Sequence, residues 1–186
     1  MKLVILDRDG VINEDSDAYI KTPDEWIPVP GSLNAISRLT SAGFTIAVAT
    51  NQSGVARGYY SLSTLYSIHE KMLSLVTAHG GKIDQIFFCP HSPDENCDCR
   101  KPKSGLFQQI QRHYQQSLNG IPAIGDSLRD LEAAKTLGCS PILVLTGKGI
   151  RTLTELNPLD HIPIFDNLSA AVDSILSGSS WSQYAP

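Results

Sequence analysis

The sequence predicts an α/β fold with a doubly wound, Rossmann-like parallel sheet. Short, almost wholly apolar runs such as residues 3–6 and 44–49 lack the polar alternation of half-exposed strands, which is typical of strands buried on both faces. Stretches with helical spacing separate these runs, as at residues 62–78. Glycines such as Gly43 and Gly80 follow the helical stretches and predict their ends.

Strands and helices alternate along the chain. The apolar pattern predicts strands at residues 3–6, 44–49, 83–88, 121–124 and 141–145, with a short one near 162–165. Helical spacing and capping residues predict helices from Ser32 to Gly43, over 62–78, over about 104–117, from Ser127 to Gly138, and near 168–176. Residues 11–30 contain several prolines and predict an irregular flap. We expect one domain over residues 1–176, without a large cap domain, and a flexible tail over 177–186.

Composition excludes several functional classes. A net charge of −4 and a pI near 5.7 disfavour nucleic-acid and anionic-membrane partners. No stretch approaches the roughly 20 apolar residues of a membrane span, and the first apolar run is too short for a signal peptide. We therefore expect a cytoplasmic protein. No helix has an obvious second apolar face, which favours a monomer.

Polar residues follow four of the predicted strands. In a parallel sheet these strand ends share one edge, where ligands bind. Carboxylates there can hold Mg²⁺, while cations and backbone N–H groups bind phosphate oxygens, so the set predicts phosphoryl chemistry. The residues are Asp7 and Asp9, Thr50 to Gly54, Arg100 with Lys101, and Gly125 with Asp126. The first group alone, Asp7-Arg8-Asp9-Gly10, is a weak pattern that a strand end and polar turn would also produce.

The loop at residues 89–103 carries three of the four cysteines. Its pattern Cys89-x-His91-x5-Cys97-x-Cys99 offers three thiolates and an imidazole, a set that suits structural Zn²⁺. The alternative is a loop of free thiols. Because this loop leads directly into Arg100 and Lys101, we expect zinc to fix their positions. Cys139 stands apart and is interpreted as a small core or helix-end residue.

These motifs resemble, in the usual order, the four motifs of the haloacid dehalogenase (HAD) superfamily of phosphatases, over about residues 3–146. The finer pattern resembles the D-glycero-D-manno-heptose 1,7-bisphosphate 7-phosphatases, whose relatives include the histidinol-phosphate phosphatases. The segments that carry it are Thr50 to Gly58, Cys89-Pro90-His91 and Cys97 to Pro102. The resemblance implies hydrolysis of the 7-phosphate of a heptose bisphosphate, in the route to activated heptose and lipopolysaccharide. A histidinol-phosphate phosphatase and a non-catalytic zinc-bearing interaction module remain alternatives.

The resemblance also implies a role for each matching residue. Asp7 is the nucleophile that forms an aspartyl phosphate, and Asp9 is the general acid and base. Thr50 and Lys101 stabilise the transferring phosphoryl group. Mg²⁺ is bound by Asp7, the Asp9 backbone carbonyl and Asp126. Substrate contacts are expected from Arg100, from Asn51, Gln52 and Ser53, and from Asp15, Asp17 and Ala18 in the flap.

Four residues are less settled. Some family members carry a lysine that touches substrate after the aspartate of the fourth motif, and this chain has Ser127 there. Asp130 either completes a capping box with Ser127 or supports the metal site. Arg57 is either a surface cation or a functional one. Lys103 is predicted on the surface, because Lys101 before Pro102 matches the motif better.

Overall fold

The computed structural model describes residues 1–157 and 161–178. The helices are α1 (Ser32–Ser41), α2 (Leu62–Ala78), α3 (Gly105–Tyr114), α4 (Leu128–Thr136), α5 (Gly149–Glu155) and α6 (Leu168–Leu176). The strands are β1 (Lys2–Leu6), β2 (Phe44–Asn51), β3 (Gln85–Cys89), β4 (Pro122–Gly125), β5 (Ser140–Val144) and β6 (Ile164–Phe165). Single 3₁₀ turns lie at Pro23–Glu25 in the flap and at Pro93–Glu95 in the cysteine loop.

The strands form one parallel sheet in the order β3-β2-β1-β4-β5-β6. The chain builds outward from β1 to β3 on one side, then returns to the other side of β1 with β4. A crevice therefore opens between the carboxyl ends of β1 and β4, where ligands of such sheets bind. Asp7 and Asp126 directly follow these two neighbouring strands.

Alternate residues of the central strands fill two separate cores. Val4, Leu6 and Val48 pack on the face covered by α1, α2 and α6. Leu3, Ile5 and their neighbours pack on the opposite face, against α3 and α4. The strands are thus buried on both faces, which explains their continuous apolar sequence.

The predicted fold class is confirmed. The α2 and α6 helices have the predicted bounds, whereas β2 runs on through Asn51 and β3 through Cys89. The α5 helix was not predicted. The flap is largely irregular, as expected, although Trp26 and Ile12 anchor it in the core. Of the predicted tail, residues 179–186 lie outside the described residues. No helix within the described ranges is long and apolar enough to cross a bilayer.

Candidate active site

A cavity of about 250 Å³ lies at the crevice between the ends of β1, β2 and β4. The structure brings to its wall every residue predicted for catalysis, magnesium or substrate, with the exception of Ala18. They are Asp7, Asp9, Asp15, Asp17, Thr50, Asn51, Gln52, Ser53, Arg100, Lys101 and Asp126. The flap, the end of β2 and the cysteine loop thus converge on the end of β1, although they are far apart in sequence.

Lys101 is buried at the floor of this cavity. Its Nζ contacts Asp7 Oδ1 at 3.0 Å and Asp130 Oδ1 at 2.6 Å, and it donates to the Ala49 carbonyl at 2.6 Å. Burial alone would lower the pKa of the ammonium, but the charges of these two carboxylates raise it above its ordinary value. Lys101 is therefore a permanent cation held beside the Asp7 carboxylate.

The backbone of Lys101 is fixed by Asn51 at the end of β2. The Asn51 side-chain amide donates to the Lys101 carbonyl at 3.0 Å and accepts from the Lys101 N–H at 3.1 Å. Asn51 was predicted to contact substrate, and it does line the cavity. Its amide group, however, is used to connect the cysteine loop to the sheet.

Asp130 completes the capping box, one of the two alternatives considered for it, and also contacts Lys101. Its Oδ2 accepts hydrogen bonds from the Ser127 N–H and Oγ at 3.0 and 2.6 Å, and Ser127 is the N-cap of α4 in a capping box. Its other oxygen binds Lys101. Burial alone would raise the pKa of Asp130, but Lys101 and Ser127 lower it. Asp130 therefore joins the start of α4 to the floor of the cavity.

The carboxylates of Asp7, Asp126 and Asp130 lie within 4.8 Å of one another. Burial, with the charge of Asp130, raises the pKa of Asp7 to about 7 and the pKa of Asp126 to about 8. Lys101 offsets the negative charge of Asp130. The negative charges of Asp7 and Asp126 are then not offset by a second cationic side chain of the described residues. A hard divalent cation would supply the positive charge, so the donor set fits Mg²⁺.

Two glycines allow the Asp126 carboxylate to reach this position. Gly10 and Gly147 both have positive φ, of 81° and 57°, and a Cβ on either would collide with Asp126 Oδ2. The same oxygen accepts a hydrogen bond from the Lys148 N–H at 2.7 Å. The loops that follow β1 and β5 thus enclose one side of the Asp126 carboxylate.

Asp9 is held by a separate set of donors. Arg8 Nη2 contacts Asp9 Oδ1 at 2.9 Å, Asn13 Nδ2 donates to Oδ1 at 2.9 Å, and Gln52 Nε2 donates to Oδ2 at 2.8 Å. Burial alone would raise the pKa of Asp9, but the Arg8 charge and these hydrogen bonds lower it. Asp9 is therefore ionised and fixed in orientation.

Gln52 links Asp9 to the end of β2. Its Nε2 also donates to Thr50 Oγ1 at 2.8 Å, while its Oε1 accepts from the buried Tyr60 hydroxyl at 2.8 Å. The sequence did not predict Tyr60, Arg8, Arg129 or Lys148 as site residues, although all four line the cavity. Arg8 lay inside the first motif and Arg129 inside the fourth, Gly125 to Asp130, so both had a sequence signal. Only the fold brings Tyr60 and Lys148 to the site.

The rim is formed by the flap and by the loops that precede α4 and α5. Lys148 Nζ pairs with Asp15 at 2.9 Å, which fastens the flap to the opposite wall. Tyr19 lines the cavity with a φ of 66°, and its ring packs on the Tyr59 ring at 4.9 Å between centroids. Asp17 also lines the rim. Ala18 is exposed and lies outside the lining, with its N–H bonded to Ser16 Oγ.

The predicted zinc ligands form one cluster. Cys89 Sγ lies 3.5 Å from Cys97 Sγ and 3.0 Å from Cys99 Sγ, and His91 Nδ1 lies 3.3 Å from Cys99 Sγ. All four cysteines of the chain are free, and Cys139 is buried elsewhere. Three thiols and one imidazole with all donor atoms within 4.8 Å of one another fit a closed tetrahedral Zn²⁺ site.

Family models agree with this architecture. A model described as polynucleotide kinase 3 phosphatase matches residues 2–127, and a HAD-hydrolase-like model matches residues 98–171. The chain is 56% identical over 176 residues to the D-glycero-beta-D-manno-heptose-1,7-bisphosphate 7-phosphatase of Pseudomonas putida, covering 95% of this chain and 100% of that protein. It is 50% identical over 170 residues to the enzyme of the same name from Neisseria meningitidis, covering 90% and 91%.

Solved structures support the same assignment. The D,D-heptose 1,7-bisphosphate phosphatase of Bordetella bronchiseptica, complexed with magnesium and phosphate, matches with a TM-score of 0.94 and 51% identity, covering 96% of this chain and all of that one. The corresponding enzyme of Burkholderia thailandensis matches with a TM-score of 0.76 and 41% identity, covering 95% and 99%. This similarity extends over nearly the full length of the chains compared, so the protein belongs to the HAD superfamily of phosphatases, in the family of D-glycero-D-manno-heptose 1,7-bisphosphate 7-phosphatases.

Proposed function

We propose that this protein is a Mg²⁺-dependent phosphomonoesterase that converts D-glycero-D-manno-heptose 1,7-bisphosphate to heptose 1-phosphate, in the route to activated heptose and lipopolysaccharide. The observation that carries the proposal is the Asp7 carboxylate 3.0 Å from Lys101 Nζ in a cavity that Asp126 also lines. The identity of the substrate is proposed from the similar proteins, which are named for this reaction.

In the first step, a carboxylate oxygen of Asp7 attacks the phosphorus atom of the 7-phosphate. The bond from phosphorus to the C7 oxygen breaks, Asp9 gives that oxygen a proton, and an aspartyl phosphate forms. Lys101 and Thr50 balance the negative charge on the transferring group. Asp9 is ionised at rest, so the dianionic phosphate beside it must raise its pKa before this step.

In the second step, the ionised Asp9 takes a proton from water and the water oxygen attacks the phosphorus atom. Inorganic phosphate leaves and the Asp7 carboxylate is restored. Gln52, Asn13 and Arg8 keep Asp9 oriented for this role. Asp7 and Asp126, with the Asp9 carbonyl, would hold Mg²⁺, which offsets the repulsion between carboxylate and phosphate.

Zinc in the Cys89, His91, Cys97 and Cys99 cluster would serve structure alone, since all four ligand positions are filled by protein. It would fix the chain just before Arg100 and Lys101. The monomeric state and the cytoplasmic location stay predictions of the sequence.

The proposed substrate is tested by comparing kcat/KM for three phosphomonoesters in the presence of Mg²⁺. We expect heptose 1,7-bisphosphate to exceed both histidinol phosphate and a 3′-phosphorylated oligonucleotide by at least about 100-fold. A preference for histidinol phosphate would replace the proposed substrate with the alternative from histidine synthesis. A preference for the oligonucleotide would support the activity named by the family model that matches residues 2–127.

A further inference from the structure

Five cationic side chains line the cavity, and their carboxylate partners divide them into two groups. Three are neutralised within the protein: Arg8 by Asp9, Lys101 by Asp7 and Asp130, and Lys148 by Asp15. The remaining two, Arg100 and Arg129, have no carboxylate partner in the part of the chain that the structure describes. These two guanidinium groups therefore lie at the cavity wall without an ion pair to a carboxylate of the described residues.

Arg129 is fixed relative to the catalytic floor. It is in the first turn of α4, directly before Asp130, whose carboxylate binds both Lys101 Nζ and the Ser127 N-cap. The Asp130–Lys101 contact of 2.6 Å joins this turn to the floor of the cavity. Arg129 thus starts from a rigid helix end, even though its side chain is exposed.

Arg100 approaches the same space from the other side. It follows Cys99 of the zinc cluster, is half-buried, and donates from Nη1 to the His91 carbonyl at 3.4 Å. Arg129 lines the same cavity. Placing like charges together is unfavourable unless an anion joins them, so the arrangement favours an anionic ligand between Arg100 and Arg129.

We propose that Arg129, together with Arg100, binds the second phosphate of a sugar bisphosphate whose first phosphate lies at Asp7 and Lys101. This inference rests on the proposed function and assigns Arg129 a part in selecting its substrate. Guanidinium groups suit the task, because they bind phosphate oxygens through pairs of hydrogen bonds.

Ser127 cannot perform this task. Some family members carry a lysine at the position of Ser127, but here the Ser127 hydroxyl donates to Asp130 at 2.6 Å and has no charge. Two residues further along, Arg129 supplies the cation from the same end of α4. The chain therefore retains a positive charge on this side of the cavity despite the serine.

The test compares Arg129→Ala with the unchanged enzyme on heptose 1,7-bisphosphate and on heptose 7-phosphate, which lacks the second phosphate. We expect the ratio of kcat/KM values, bisphosphate over monophosphate, to fall about 10- to 100-fold, mainly through KM. Arg129→Lys keeps the charge without the paired hydrogen bonds and should recover part of the ratio. Arg112→Ala removes an exposed arginine of α3 that does not line the cavity, and this control should retain the ratio.

Each other outcome is decisive. An unchanged ratio in Arg129→Ala, or an equal loss on both substrates, would overturn the inference and leave the proposed function intact. If the unchanged enzyme itself fails to hydrolyse the bisphosphate, the proposed function fails instead.

A measurement on the unchanged enzyme covers the case in which the variants do not fold. Phenylglyoxal modifies accessible arginines, and peptide mapping reports each site. Heptose 1-phosphate, which carries the second phosphate alone, should protect Arg129 and Arg100 but not the exposed Arg112. Equal modification of Arg129 with and without this product would contradict the inference.

Discussion

The carboxylate cluster around Asp7 and the thiol cluster around Cys99 flank Lys101, yet the protein positions them in different ways. Asp7 and Asp126 directly follow β1 and β4, which are paired in the sheet and buried on both faces. Of the zinc ligands, Cys89 ends a strand, whereas His91, Cys97 and Cys99 belong to a loop with little apolar content. The sheet core thus places the first cluster, while the second depends on its ligands being joined.

Because the two sites are built differently, we expect the two metals to have different roles. Magnesium at a site already built by the fold would supply charge for the reaction, and its removal should stop turnover without releasing a segment of the chain. Zinc at the loop would supply structure, and its removal should release the segment that carries Arg100 and Lys101.

Asp7→Asn should lower kcat by about 10⁴-fold or more, because the amide is a poor nucleophile. The fold should remain intact, since burial raises the pKa of Asp7 and a neutral group costs less there. Steady-state kinetics and thermal unfolding measure the two effects. Substantial residual turnover would exclude Asp7 as the nucleophile.

Loss of zinc should lower kcat/KM by about 10- to 100-fold, by analogy with the effect of disturbing the groups that orient a site. Cys97→Ser removes one ligand and should increase amide hydrogen exchange over residues 89–103. Cys139→Ser, a buried cysteine outside the cluster, is the matched control. Normal loop protection and kinetics in a verified zinc-free protein would refute the structural role.

Gly147→Ala should raise the Mg²⁺ concentration needed for half-maximal activity by about 10-fold, because the new Cβ would displace the Asp126 carboxylate. Gly120→Ala is the control, since Gly120 also has a positive φ, of 73°, but has no atom within 4 Å of the added Cβ. The control should share any backbone penalty and keep its Mg²⁺ dependence. Identical Mg²⁺ titrations for both variants would argue against Asp126 as a ligand.

Magnesium should raise Tm more at pH 8 than at pH 5. The pKa values of Asp7 and Asp126 are about 7 and 8 in the folded protein, against 3.8 for an unperturbed aspartate, so the folded state retains protons that the unfolded chain has lost. Without a cation, stability therefore falls as pH rises from about 4 to 8. Mg²⁺ would supply the positive charge that these protons supply at low pH, so it should stabilise the folded state more at pH 8. Thermal unfolding with and without Mg²⁺ measures the effect, and a Tm increase of the same size at both pH values would contradict the prediction.

Sequence pattern predicted the sheet and the residues at the strand ends, because buried parallel strands have a strong apolar signal and share one edge. It did not predict α5, which contributes Gly149 and Thr152 as buried residues and has little apolar face. Nor could it predict that Asn51 and Gln52 bond to Lys101, Asp9 and Thr50. Such pairings depend on side-chain orientation at the end of β2, which hydrophobic periodicity does not encode.

Trapping the intermediate shows whether Asp7 becomes phosphorylated. Turnover of heptose 1,7-bisphosphate is stopped with acid, the acyl phosphate is reduced with borohydride, and the digest is examined by mass spectrometry. We expect residue 7 to be converted to homoserine in the presence of substrate and not in its absence. Conversion of a different aspartate, or of none while phosphate is released in a burst, would contradict it.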